Sequence, residues 1–175
     1  MTEESDRKPD AGVLDDATLA FAERVFDAAR KGDCASLRPV LEQGLPANLR
    51  NHAGDSLLML ASYHGHLETA RALLEQGADP LLANDRGQTP LAGAAFKGDL
   101  AMVRLLLEHG ADVESPSPDG KTALMMAAMF NRTEIAEYLI AQGANPNARD
   151  ANGVTPLAAA AMSGATDTHA LLERL

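Results

Sequence analysis

The sequence has no tryptophan, and aromatic residues make up only 3% of its 175 residues although 46% are hydrophobic. A core must therefore be built from Ala, Leu, Val, Ile and Met in elements that approach closely, which favours tightly packed helices. A chain of this length and apolar content is expected to form one domain. Cys34 is the single cysteine, so neither an internal disulfide nor a thiolate zinc site within one chain can form.

Long hydrophobic runs and an excess of positive charge are also missing. No stretch approaches the roughly 18 uninterrupted apolar residues of a membrane span, and the start, MTEESDRKPD, lacks the basic and apolar runs of a secretory signal. We therefore expect a cytoplasmic protein that does not associate with membranes. The net charge of −10 repels phosphate backbones, so nucleic acid is not an expected partner.

The first residues are rich in acidic side chains and poor in apolar ones. A segment of this composition buries too little apolar surface to offset the entropy lost on ordering. We expect a flexible acidic tail over 1–15 and a single folded domain over 16–175.

The chain is rich in an internal repeat. The stretch GQTPLAGAAFKGD at 87–99 returns as GVTPLAAAAMSG at 153–164, and in looser form at 54–65 and 120–131. Three series of glycines recur at a step of 33 residues: Gly54, Gly87, Gly120 and Gly153; Gly44, Gly77, Gly110 and Gly143; Gly32, Gly65, Gly98 and Gly164. Asn131 stands in the third series, and Asn is the residue after Gly that most readily adopts a positive φ. A mild gain in stability is expected from Asn131→Gly.

One repeat unit, 84–116, shows how each segment is predicted to fold. Thr89 is placed to cap a short helix whose first residue is Pro90, and Gly98 is placed to end it. Asp99 is then expected to cap a second helix, whose Leu and Val residues lie at helical spacing. The unit is predicted to be a helix–turn–helix followed by a glycine-centred loop.

A pair of helices this short cannot bury its apolar face alone, so successive units must stack. The 33-residue period, the Thr-Pro-Leu start, the paired alanines and the LLxxGAD ending resemble ankyrin repeats. The resemblance implies an all-α solenoid of five units. They are an N-terminal cap at 16–50, repeats at 51–83, 84–116 and 117–149, and a C-terminal repeat or cap at 150–175.

One family feature is absent from every unit. The histidine that usually follows Thr-Pro-Leu is replaced by Met59, Ala92, Met125 and Ala158. Each hydrogen bond of such a histidine is typically worth about 1 kcal/mol. Less rigid hairpins are therefore expected, without a change of fold.

No arrangement of residues that is typical of catalysis is present, so we expect neither enzymatic activity nor a cofactor. Cys34 occupies a position where other units have Leu67 and Leu100, which predicts a buried, unreactive thiol. His64 and His66 form an H-x-H pair, and several methionines recur on the first helices. These residues leave open an alternative function as a metal-binding or small-molecule-binding protein.

An apolar residue ends each first helix two positions before the third glycine series. These residues, called the inner row below, are Tyr63, Phe96, Met129 and Met162. In ankyrin-like stacks this position faces the concave groove, so the inner row is interpreted as a surface that binds a partner. The other interpretation is that these side chains pack over the seams between units.

The remaining candidate residues lie beside the inner row or in the loops before each first helix. Those beside the row are His64, Lys97 and Phe130, and those in the loops are Asp55, Arg86 and Lys121. The sequence thus predicts a monomeric module that binds another protein through its concave groove and acts as an adaptor, inhibitor or scaffold.

Overall fold

A computed structural model describes residues 15–175, which fold into ten α-helices joined by short loops. The helices are α1 (Asp16–Lys31), α2 (Cys34–Glu42), α3 (Leu57–Tyr63), α4 (Leu67–Glu75), α5 (Pro90–Lys97), α6 (Leu100–Glu108), α7 (Ala123–Met129), α8 (Thr133–Ala141), α9 (Pro156–Ser163) and α10 (Thr166–Leu172). Within these residues no strand forms, and one isolated antiparallel bridge joins Arg50 to Ser56. The all-α prediction is confirmed.

The tail predicted over 1–15 lies outside the described residues except for Asp15. The carboxylate of Asp15 accepts a hydrogen bond from the Thr18 backbone N–H at 2.6 Å and caps α1. This bond lowers the pKa of the Asp15 carboxyl below its ordinary value. Asp15 therefore acts as part of the first helix, which begins at Asp16.

The local signals of the repeat produce the predicted caps and turns. The Thr89 hydroxyl accepts from the Ala92 N–H at 3.3 Å, and Pro90 is the first residue of α5. Gly98 ends that helix at a φ of +81°, and its N–H reaches the carbonyls of Ala94 and Ala95. The Asp99 carboxylate then accepts from the Met102 N–H at 3.0 Å and caps α6.

Hydroxyl caps lie three residues before the positions at which the family histidine is missing. Ser56, Thr122 and Thr155 cap α3, α7 and α9, as Thr89 caps α5, by accepting from the backbone N–H groups of Met59, Met125 and Ala158. In the described part of the chain, no buried side-chain nitrogen or oxygen lacks a hydrogen-bond partner. The helix starts are thus stabilised without the histidine.

Each odd-numbered helix pairs with the even-numbered helix that follows it, and the pairs stack into a solenoid. Neighbouring odd helices contact each other over more of their length than neighbouring even helices do. Alanines such as Ala94, Ala95 and Ala127 are fully buried where the odd helices meet, which allows their backbones to approach closely. The stack therefore curves, with the odd helices on its concave side.

The core forms two apolar clusters. The larger runs through α1 to α8 and includes the fully buried Leu57, Leu73, Leu106 and Leu139. The smaller one contains Ala128, Ala160, Ala165 and Leu172 and joins α9 and α10 to the rest of the stack.

Cys34 differs from the prediction, because it is half-buried rather than buried. Its predicted register is correct: it opens α2 as Leu67 opens α4 and Leu100 opens α6. Those two leucines are half-buried as well. The first position of a second helix follows the turn between the two helices of a unit, and in these three units its side chain is only partly covered.

Candidate functional site

The inner row lies at the C-terminal ends of α3, α5, α7 and α9, where these helices face the concave side. Tyr63 is 40% exposed and Met162 is 77% exposed, whereas Phe96 and Met129 are half-buried. The row therefore combines exposed apolar surface with side chains that partly fill the spaces between the helices.

Aromatic contacts connect the first half of the row. The rings of Tyr63 and Phe96 lie nearly parallel, with centroids 6.4 Å apart and an interplanar angle of 8°. Phe130 meets Phe96 edge to face at 4.6 Å, and the exposed His64 ring meets Tyr63 in the same way at 5.5 Å. The Lys97 ammonium lies 5.0 Å from the Tyr63 ring centre, within the range of a cation–π interaction. These contacts hold the rings in place before any partner arrives.

The loops before the odd helices form a second border of the concave side. They are called fingers below and comprise 51–55, 84–88, 117–121 and 150–154. Hydrogen bonds between backbones connect some of them: the Asp85 N–H donates to the Ala53 carbonyl at 3.3 Å, and the Ala151 N–H donates to the Asp119 carbonyl at 2.8 Å. Pro118 occupies the corresponding position of the third finger and has no N–H to donate. The backbone hydrogen bond that links the other neighbouring fingers is therefore missing between the second and third.

The charged finger residues predicted from the sequence have different surroundings. Asp55 accepts a hydrogen bond from the Asn84 side-chain amide at 2.9 Å, so its carboxylate links two fingers. Arg86 is exposed, and no carboxylate within residues 15–175 lies within 4 Å of its guanidinium. Lys121 pairs with Asp119, which also accepts from the Ser117 hydroxyl. These two contacts lower the pKa of the Asp119 carboxyl to about 2.

A pocket of about 280 Å³, lined by Asp55, His64 and Arg86 among others, lies between Tyr63 of the inner row and the first two fingers. Two further pockets lie between the inner row and the fingers. The larger, of about 470 Å³, is called the aromatic pocket below, and its lining includes Tyr63, Phe96, Met126, Arg86 and Lys121. The smaller, of about 220 Å³, is lined by Met129, Met162 and Lys121 among others. The structure therefore places most of the predicted residues around these three pockets.

Sequence analysis missed several residues of the aromatic pocket, namely Gly93, Met126, Gln88 and Pro118. One feature of the sequence, the glycine at position 93, could have indicated the pocket. Gly93 lies inside α5 and, unlike the glycines of the three series, is not at a positive φ. A glycine that no turn requires indicates space kept free for another group.

The alternative of a metal or small-molecule site made from Met and His is not supported. The His66 Nε2 lies 2.9 Å from the Arg30 carbonyl oxygen, and Met125 is buried. Partial burial, and then the neighbouring His66, Arg30 and Lys97, lower the pKa of His64. Among residues 15–175, no three His, Cys, Asp or Glu side chains are grouped as metal ligands would be.

The helices also bear on the membrane question. Over the described range, none of them has both the length and the apolar character needed to cross a bilayer.

Comparison with known proteins agrees with this architecture. A family model described as ankyrin repeats in three copies matches residues 25–117 and again 113–174. A curated protein of Pseudomonas aeruginosa, named a putative ankyrin repeat protein, is 65% identical over 56 residues. Those residues are 32% of this chain and 33% of the relative, so the chain matches about a third of that relative's length.

Proposed function

Because the chain belongs to the ankyrin-repeat family, whose members generally act in protein–protein interactions, we propose that it binds a partner protein through its concave groove. The observation that carries the proposal is the exposed inner row. Tyr63 and Met162 expose 40% and 77% of their surface on that side, and Phe130 beside them exposes 40%. Large apolar side chains grouped on one surface are typical of interaction sites.

The dimensions of the row suit an extended partner. Neighbouring helices lie about 8–10 Å apart, so three steps from Tyr63 to Met162 span about 30 Å. A helix of about twenty residues has this length. Phe96 and Met129 are half-buried, so we expect each to contact its neighbours in the stack with part of its side chain and the partner with the rest.

The proposal includes three further statements. The protein acts without catalysis, as an adaptor, inhibitor or scaffold. It is a monomer until it meets its partner, and it works in the cytoplasm. Its partner is a protein rather than a nucleic acid, since a net charge of −10 opposes contact with phosphates.

The test compares the amount of partner captured from a native lysate by the unchanged protein and by the double variant Phe96→Asp, Met129→Asp. Burial of one large apolar side chain is worth about 1.5–3 kcal/mol. Loss of two such gains should weaken binding by about a hundredfold or more. Circular dichroism establishes that the variant keeps its helical content.

A matched control places the same two charges on the outer side. Ala35 and Ala101 are exposed in the first turns of α2 and α6, where an added carboxylate is compatible with the helix dipole. The Ala35→Asp, Ala101→Asp variant should capture the partner as the unchanged protein does. Equal capture by the folded Phe96→Asp, Met129→Asp variant would show that recognition does not use the inner row.

A further inference from the structure

The aromatic pocket has an apolar floor that can receive a ring. Tyr63 and Phe96 present nearly parallel rings, and Met126 lies beside them. Gly93 leaves the floor open, whereas the preceding unit has Leu60 at the same position of its repeat. A Cβ at Gly93 would make only an ordinary contact, 3.6 Å from the Tyr63 Cδ2, so alanine would fit there. The space is large enough for an aromatic side chain, and aromatic rings and thioethers pack favourably against such a ring.

The edge of this pocket carries positive charge that the protein does not neutralise. Arg86 lines it, and Lys97 lies over Tyr63 at 5.0 Å from the ring centre. Within residues 15–175, neither cation has a carboxylate within 4 Å. Lys121 is paired with Asp119 and adds little net charge.

The neighbouring acidic groups are occupied by the fingers themselves. Asp55 accepts from the Asn84 amide at 2.9 Å. Asp150 accepts from the backbone N–H groups of Asn152 and Val154 at 2.8 and 2.9 Å. These carboxylates keep their charge and bond to the loops, and within residues 15–175 none of them pairs with Arg86 or Lys97.

The outer side of the stack has the opposite character. The exposed glutamates of the even helices, Glu42, Glu68, Glu75, Glu108, Glu134 and Glu137, outnumber the arginines of those helices, Arg38, Arg71 and Arg104. An acidic ligand is therefore repelled by the outer helices and attracted at the aromatic pocket, which fixes where it binds.

We propose that the aromatic pocket binds an acidic peptide segment of the partner, with an aromatic side chain packed against Tyr63, Phe96 and Met126 and flanking carboxylates on Arg86 and Lys97. This inference rests on the proposed function and specifies the partner's chemistry. A carboxylate on a guanidinium forms a charge-assisted hydrogen bond, and the ring supplies the buried apolar area.

The absence of tryptophan from the chain provides a direct readout. The probe is a short synthetic peptide with one Trp between pairs of Glu, and its indole emission shifts to the blue when the ring is buried. Three matched peptides replace the Glu residues by Gln, replace them by Lys, or replace the Trp by Ala. The Ala peptide has no indole, so it is tested by its ability to displace the original Glu peptide.

We expect the Glu peptide to bind the full chain about tenfold more tightly than the Lys peptide at low ionic strength. Added salt should reduce this difference, because exposed charges are screened. The Arg86→Glu, Lys97→Glu variant should reverse the preference. The matched Arg38→Glu, Arg104→Glu variant should keep the preference for the Glu peptide. It is matched because it also removes a cation that lies over a ring, since Arg104 lies over Tyr138.

A second variant tests the floor without changing charge. Gly93→Leu fills the space, so the Glu peptide should no longer show a blue shift of its Trp emission with this variant. Circular dichroism should show an intact fold. The proposal is overturned if the Lys peptide binds as tightly as the Glu peptide, or if competition gives the Ala peptide the same affinity as the Glu peptide. It is also overturned if Gly93→Leu leaves the shift of the Trp emission unchanged. Absence of any shift at about 1 mM protein would overturn it as well.

Failure of this inference is distinguishable from failure of the proposed function. If Phe96→Asp, Met129→Asp abolishes capture of the natural partner but the peptides show no preference, the groove binds a partner of other chemistry. If that variant captures the partner normally, the groove function fails whatever the peptides do.

Discussion

At the scale of single residues, Asn131 has a role that its repeat position does not suggest. Its φ of 53° is positive, as the sequence predicts for a position held by glycine in the other units. Its side-chain oxygen also accepts from the backbone N–H groups of Asp167 and Thr168 at 3.1 and 3.0 Å. The residue at the N-cap of α10, Ala165, has no side-chain cap of its own. Asn131 thus caps a helix of the following unit.

These bonds reverse the effect expected from sequence for Asn131→Gly. Relief of the positive φ favours glycine, but loss of the cap should lower the free energy of unfolding by about 1 kcal/mol. Urea unfolding measures the change. Asn131→Ala is the control, because it loses the same cap and keeps a Cβ at a positive φ, so it should be less stable than Asn131→Gly. A glycine variant as stable as the unchanged protein would mean that the cap contributes nothing.

The ion pair of the third finger gives a second prediction at this scale. Lys121, and then Ser117, hold the pKa of Asp119 at about 2. In Lys121→Ala this pKa should rise towards the ordinary value of about 3.9, which NMR titration of the side-chain carboxyl carbon measures. An unchanged pKa would show that Lys121 does not contact Asp119 in solution.

The same shift determines how the pair contributes to stability. The pKa of Asp119 in the folded state lies below its value in the unfolded chain, so folding is favoured above about pH 4 and this contribution is lost as the pH falls towards 2. The pair is exposed, so its contribution is small.

At the scale of elements, α5 contains a glycine that its conformation does not require. Gly93→Ala should raise the free energy of unfolding by about 0.5–1 kcal/mol, because alanine loses less entropy in a helix. Gly98→Ala is the matched control. At Gly98 φ is +81° and a Cβ would lie 2.9 Å from the Arg132 Nε, so the same change should be destabilising. If both variants shift thermal melting in the same direction, the assignment of Gly93 as an ordinary helical position is wrong.

The helices could be predicted from sequence to within a few residues because their start and stop signals are local. Thr89, Pro90 and Gly98 act on atoms no more than four residues away. Gly93 was the one sequence signal of the aromatic pocket, but its lining could not be predicted, since a glycine of one helix, rings of two helices and a proline of a finger must meet in space. Burial of Cys34 was predicted wrongly for a related reason: a repeat pattern gives register, but the coverage of a position depends on the neighbouring unit.

At the scale of the whole molecule, the division of the core makes the stack uneven. The larger cluster runs through α1 to α8 and is joined by Leu171 of α10, whereas the smaller one, around α9 and α10, has four buried residues. Solenoids owe their stability to contacts between neighbouring units. Within residues 15–175 the last pair of helices has such a neighbour on one side only, so it is expected to open more readily than the inner units.

We therefore expect α10 to open before the other helices. Native-state hydrogen exchange should give a lower opening free energy for its amides than for those of α5 and α6. Leu172→Ala, which removes the largest side chain of the smaller cluster, should widen the difference and leave exchange in α5 unchanged. Equal opening free energies across α5, α6 and α10 would mean that the molecule unfolds as one cooperative unit.

The central claim is that a partner protein occupies the concave side, and site-specific photo-crosslinking tests it most directly. Benzoylphenylalanine would replace one residue at a time in otherwise unchanged protein, at Met162 and Phe130 on the concave side and at Ala35 and Ala101 on the outer helices. All four positions are exposed, so each can reach a bound protein in contact with it. Irradiation with the captured partner should give covalent adducts from the Met162 and Phe130 positions and none from Ala35 or Ala101. Adducts from the outer positions alone would contradict the account.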